Sequence, residues 1–231
     1  MLINADLTKR ALVHADQADW LPSPAKGVER RMLFRIGEEK ARATSLVRYA
    51  SGSRFSHHEH TGGEEFFVLE GVFQDESGDF PKGSYVRHPP GSGHAPSSEQ
   101  GCVILVKLWQ FRSNDLERVV LRPGEGTLEQ TRPGVLTSRI LFDAKDERVT
   151  MEEWQPSAKL EVANQLGLEL LVIDGDVNFE GEVLKHWSWL RLPPGQTFCT
   201  EVGNAGAQVW MKSGVLLHED VVLFEEAERA K

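Results

Sequence analysis

The chain contains the same stretch of text twice. E-F-F-V-L-E-G at 65–71 returns as E-L-L-V-I-D-G at 169–175, and R-H-P-P-G-S-G-H at 87–94 returns as R-L-P-P-G-Q-T-F at 191–198. Arg31-Met-Leu-Phe34 likewise echoes Arg139-Ile-Leu-Phe142, and Val106-Lys107 echoes Met211-Lys212. A sequence that repeats in one order is expected to fold into two units of one architecture. Its 231 residues divide into two of ordinary domain size, roughly 110 each. The units read as all-β, because apolar and β-branched runs such as 44–49, 66–73, 102–111 and 168–173 are separated by Gly, Pro and Asp. The expected division is 1–118 and 119–231, with the linker inside 113–134, where Arg122-Pro-Gly and Arg132-Pro-Gly occur. Residues 219–230 read as a short acidic helix or tail.

The first copy holds what the second lacks. Residues 52–71 contain His58-x-His60-x-x-x-Glu64, and the block from Gly83 places His94 after a Pro-x-Gly-x-x turn. Alternate residues of a strand share a face, so His58 and His60 point the same way. Glu64 keeps that parity beyond the turn Thr61-Gly62-Gly63, and His94 joins from another strand. Three imidazoles and a carboxylate make a shell for one divalent metal; these donors suit Zn, Fe, Mn, Ni or Co alike. The bland alternative is two surface histidines beside a solvated acid, and the offset of Glu64 with the Pro-x-Gly-x-x-His block argues against it. Phe66 and Val68 share the parity of Glu64 and are expected to floor the metal cavity, and Phe55, which leads into the first ligand strand, faces either inward or the rim. Glu65 and His57 have the opposite parity and are expected to point outward. His88 is read as a rim residue, because the turn at 89–91 resets the alternation before His94. At the repeat's register the four ligand positions become Val162, Asn164, Leu168 and Phe198, so the second unit is expected to hold no metal and to be packed with apolar side chains.

The two blocks resemble the two cupin motifs, Gly-x5-His-x-His-x3-Glu-x6-Gly from Gly52 to Gly71 and Gly-x5-Pro-x-Gly-x2-His from Gly83 to His94. One departure is Ser98, where the general motif has Asn. The surrounding text, G-G-E-E-F-F-V-L-E-G-V-F-Q-D-E and P-K-G-S-Y-V-R-H-P-P-G-S-G-H, is similar to the ChrR-type cupins, named after the zinc-containing C-terminal cupin of an anti-sigma factor of the singlet-oxygen response. The resemblance implies two jelly-roll barrels in tandem, with His58, His60, Glu64 and His94 as metal ligands. It implies a regulatory or sensory protein, with zinc or iron as the metal. The family's sigma-binding motif, His-x3-Cys-x2-Cys, does not occur in this sequence, so regulation is expected to run through a separate protein partner. Related cupins cleave ketones and diketones with O2, and the alternative is therefore an Fe(II) dioxygenase acting on a small molecule of that kind. Whether the chain is an enzyme stays open at this point.

Charge narrows the setting. A net charge of −9 argues against a broad nucleic-acid-binding face. The basic run Arg30-Arg31 with Arg35 is interrupted by Glu29 and apolar residues and reads as a solvated strand face. No stretch approaches the apolar length of a membrane span, and the first residues lack the apolar core of a secretory signal, so the expected location is cytoplasmic. Cys102 and Cys199 are expected to be reduced and buried, with redox activity a minority reading for Cys199. Pairing into a homodimer stays open.

Overall fold

The computed structural model describes residues 1–216, which contain β-strands and one short 3₁₀ turn. The expected acidic helix or tail at 219–230 lies outside the described residues. In chain order the main strands begin with β1 (Ala11–His14), β2 (Val28–Gly37), β3 (Ala41–Tyr49), β4 (His58–His60) and β5 (Glu64–Asp75). They continue with β6 (Tyr85–His88), β7 (Ser92–His94), β8 (Cys102–Leu108), β9 (Val119–Leu121) and β10 (Val135–Ala144). The remainder are β11 (Glu147–Trp154), β12 (Lys159–Val162), β13 (Leu168–Phe179), β14 (Ser188–Leu192) and β15 (Phe198–Gly214).

The strands form two antiparallel units with one topology. The first has a sheet in the order β2-β3-β8-β5-β6-β9 and a small ribbon of β4 with β7. The second has the order β10-β11-β15-β13-β14-β1, with β12 paired to β15. Gly71 and Gly175 show how closely the copies correspond. Each has a positive φ, +68° and +73°, and a Cβ would come within 2.0 Å of the Gly101 and Gly206 carbonyl oxygens respectively. Only glycine fits such a bend. Both copies also carry a β-bulge in their first long strand, which skips Leu33 in β2 and Leu141 in β10.

The units are not contiguous in sequence. One comprises Met1–Ala5 and Asp19–Gly124 among the described residues, the other Asp6–Ala18 and Glu125–Leu216. This differs from the division at 118/119 in two places. Strand β9 lies beyond that boundary yet pairs with β6 of the first sheet, and β1 lies far before it yet pairs with β14 of the second. Short segments at either end of a repeat carry little pattern of their own, so their sheet is decided by an edge left open elsewhere in the chain.

Each unit has its own apolar core. The first is built on Phe66, Val68, Phe73, Phe80, Val86 and Ile104; the second on Trp154, Leu168, Leu170, Phe179, Leu190 and Phe198. Cys102 is buried, and burial pushes its thiol up to about 11, whereas Cys199 is exposed, contrary to the expectation that both are buried. No helix among the described residues is long and apolar enough to cross a membrane.

Candidate metal centre in the first barrel

Strand pairing assembles the site. Strand β6 lies antiparallel to β5 with His88 directly across from Glu64, and β7 lies antiparallel to β4 with His94 across from His58. Between β4 and β5 the chain turns at Gly63, whose amide donates to the His60 carbonyl at 3.0 Å. Gly63 has φ +76°, and a Cβ there would meet the Phe111 ring at 2.5 Å, so this turn requires glycine.

Glu64 is the centre of the cluster. Its Oε2 lies 3.5 Å from His60 Nε2, 3.5 Å from His94 Nε2 and 3.8 Å from His88 Nδ1. One donor atom from each of His60, Glu64, His88 and His94 lies within 4.8 Å of the other three. His58 is exposed at the edge of this group, with its Nε2 3.2 Å from His60 Nε2. The sequence-derived set and the observed cluster thus share His60, Glu64 and His94, and differ at His58 and His88.

His88 is not a rim residue: it is 3% exposed, and its ring stacks on that of His60. Counting parity through the turn at 89–91 gave no answer for this position. Its partner across the ladder does, because residues directly opposite in an antiparallel pair share a face. Glu65 and Arg87 occupy the other face for the same reason, also as a cross-strand pair. Glu65 points away from the metal donors but not into solvent. It is buried, accepts a hydrogen bond from Tyr85 Oη at 2.8 Å, and lies 3.7 Å from Arg87 Nη1. His57 is exposed.

The electrostatics favour a charged carboxylate at Glu64. Burial alone raises the Glu64 pKa, but His60, His88 and His94 outweigh it and hold the carboxyl down at about 2. Burial lowers His60 to about 4 despite the nearby Glu64. His94 goes the other way: burial lowers its pKa, but its contact with Asp75, 3.3 Å from Nδ1, and the charge of Glu64 raise it overall. Facing a carboxylate, Nδ1 carries the proton, which leaves Nε2 as the lone-pair nitrogen turned toward Glu64.

These residues fit a metal ion. Glu64 Oε2, His60 Nδ1 and His88 Nδ1 are buried without a hydrogen-bond partner, a costly arrangement for protein atoms alone. The donor spacings of 3.2 to 3.8 Å approach those of adjacent ligands about 2.1 Å from one ion, roughly 3.0–3.4 Å apart.

A cavity of about 290 Å³ adjoins the cluster, and His58, His60 and Glu64 form part of its wall. Phe66 and Val68 are core residues and do not line it; their neighbours across the ladder, Val106 and Ile104, do. Phe55 is half-buried and packs edge-on against Tyr49, which lines the cavity. Arg30 and Arg35 also line it, contrary to their reading as a solvated face. The bulge at Leu33 is the reason: it shifts the alternation of β2 by one residue, so an even and an odd position face the same side.

The second unit carries no such cluster among the described residues. Leu168 and Phe198 are buried in its apolar core, and Val162 packs against them. Asn164 spends its side chain on the backbone, donating to the Pro193 and Gln196 carbonyls and accepting from the Gly167 amide. The position of His88 is taken by Leu192, which stands across from Leu168 as His88 does from Glu64.

Comparison with known proteins agrees with this geometry. Residues 8–112 match the family described as the ChrR Cupin-like domain. No curated protein matches the chain in sequence. Among solved structures, a putative dioxygenase from Nostoc punctiforme superposes with a TM-score of 0.68 at 13% identity, covering 94% of this chain and 86% of its own. A putative glyoxylate-induced protein from Pseudomonas aeruginosa gives a TM-score of 0.69 at 15% identity, over 93% and 91% of the two chains. A bacterial pirin from Escherichia coli in complex with nickel(II) gives 0.64 at 14% identity, over 90% and 99%. Identities this low establish a shared fold and nothing more. Residues 8–112, which supply the four clustered donors, are similar to the ChrR Cupin-like domain, and the chain as a whole has the fold of these cupin structures.

Proposed function

We propose that the first barrel holds one divalent metal ion on His60, Glu64, His88 and His94, with His58 beside them, and that the ion binds a small molecule in the adjoining cavity. The observation that carries this is the convergence of four buried donor residues, three of which, His60, Glu64 and His88, each keep a buried polar atom without a hydrogen-bond partner. Zinc or iron is the expected ion; nickel, manganese and cobalt are accommodated by the same donors. When bound, the metal supplies Lewis acidity toward an oxygen donor, and iron adds reactivity toward O2. The chain does the rest. Asp75 fixes the tautomer of His94, Glu64 offsets the charge of the ion, and Ile104 and Val106 keep one wall of the cavity dry.

The match to the ChrR Cupin-like domain supports a ligand-responsive, regulatory role, exerted on a separate protein partner. A second reading, an Fe(II) dioxygenase acting on a small ketone or diketone, is favoured by the cavity that reaches the donors, since a purely structural zinc site is closed. Elemental analysis of protein purified without a metal-affinity tag distinguishes them. Near one metal per chain is expected. Zinc supports the regulatory role, iron directs attention to O2 uptake with small diketones, and a stoichiometry near zero or near two overturns the single-site reading.

A further inference from the structure

Arg30 and Arg35 are the two cations of the cavity wall, and neither is consumed by a buried carboxylate. Arg35 is 4% exposed and gives Nη2 to the carbonyl oxygens of Glu38 and Glu39, so its hydrogen bonds go to neutral acceptors. Arg30 Nε is buried without a hydrogen-bond partner, and the nearest carboxylate to its guanidinium, that of the largely exposed Glu39, is 3.6 Å away. An exposed ion pair of this kind contributes little. The two guanidinium groups also oppose each other: after burial, the charge of Arg30 is the next influence lowering the pKa of Arg35. The charges of Glu39 and Glu38 offset this repulsion only in part, and from the exposed side, so an anion inside the cavity would gain from both guanidinium groups.

The internal repeat separates function from architecture at these positions. Glu65 and Arg87 stand across the ladder from one another, and so do Glu169 and Arg191 in the second barrel. That pair is kept in both copies, as an element of the fold would be. With Phe34 aligned on Phe142, the positions of Arg30 and Arg35 become Ser138 and Asp143. The arginines are therefore lost in the same copy that loses every metal donor, and the bulge that turns them inward is present in both. They accompany the metal site, not the barrel.

We infer that the molecule bound in this cavity is a small organic acid: its carboxylate sits at Arg30 and Arg35, an aliphatic body lies on the apolar wall, and a second oxygen faces the metal. The inference rests on the proposed metal centre for the last of these contacts and on the cavity alone for the first two. Val47, Ile104, Val106 and Leu108 supply the apolar wall, and Ser45 and Tyr49 border the same space. Burial raises the Tyr49 pKa, so the phenol is a neutral donor at physiological pH. A volume of about 290 Å³ sits at the small end of ligand pockets, which suits a molecule the size of a short branched acid.

The test is calorimetric titration of the protein with its bound metal, using α-ketoisocaproate, its methyl ester and isocaproate as probes. Binding of the keto acid is expected, with the ester and isocaproate each at least about 10-fold weaker, the first through loss of the arginine contacts and the second through loss of the metal-facing oxygen. Arg30→Gln and Arg35→Gln are each expected to weaken the keto acid about 10-fold or more with metal content unchanged. Arg35 also braces the backbone, so Arg30→Gln is the deciding variant if Arg35→Gln proves unstable. Equal binding of acid and ester, unchanged affinity in Arg30→Gln, or no saturable binding of the keto acid overturns the inference. Metal content measured on the same samples tells the two readings apart: arginine-dependent binding of the acid by metal-free protein sinks the metal reading and leaves the anion site standing.

Discussion

His88→Ala is the sharpest test of which residues hold the metal. The imidazole is 3% exposed, its Nδ1 lies 3.8 Å from Glu64 Oε2, and that nitrogen has no hydrogen-bond partner. If it donates to the ion, removing it costs at least what removing a supporting group costs, on the order of 10–100-fold in affinity, or about 1.4–2.8 kcal/mol. His58→Ala, which removes an exposed ring at the edge of the cluster, is expected to have the smaller effect. The assay is competition for Zn²⁺ against a chromophoric chelator, run on wild type and both variants. Thermal melts in excess EDTA accompany it, so that an affinity loss is not confused with a folding defect. His88→Ala protein that melts like wild type and holds zinc as tightly refutes the assignment, and a larger loss in His58→Ala returns the centre to the set read from the sequence.

Three further outcomes follow from the same geometry. Metal affinity should fall between pH 7.5 and 5, because histidine binds only when neutral. The raised pKa of His94 makes protons compete there above the ordinary histidine value, whereas His60, lowered to about 4, resists until far more acid conditions; flat occupancy over that range contradicts the assignment. Asp75→Asn should weaken metal binding by about 10-fold or more by releasing the His94 tautomer, and unchanged affinity would show that the 3.3 Å contact does not orient the ring. Phe198→Ala should leave metal content unchanged and cost about 3–5 kcal/mol of stability, read from denaturant melts, since this fully buried ring stacks on Phe179 in the second core.

What the sequence made legible was whatever local spacing decides. The repeat announced two β units, and the parity of His60 and Glu64 carried across one short turn. Where the answer depended on a partner strand, local spacing failed. His88 belongs with Glu64 because β6 pairs with β5 in one register, which no count along the chain around Pro89 can reveal. Arg30 and Arg35 read as a solvated face, whereas the bulge at Leu33 sets both in the cavity wall, and a bulge of one residue leaves no compositional mark. Glu65 was rightly placed on the face away from the donors and wrongly given to solvent, since period-2 alternation separates the faces of a sheet without saying what covers them.

The pairing of β1 with β14 has a consequence for synthesis. Ala11 stands opposite Arg191, so 180 residues must be translated between the appearance of one strand and that of its neighbour. At about 5–20 residues per second this interval is roughly 10–40 s, far longer than a β-hairpin takes to close. Among the described residues, by contrast, the strands of the first sheet are all made by the time Leu121 has been added. A nascent chain therefore carries one unpaired strand on its leading end while the first barrel forms. Ala11–His14 waits for the last third of the chain to supply the edge it closes.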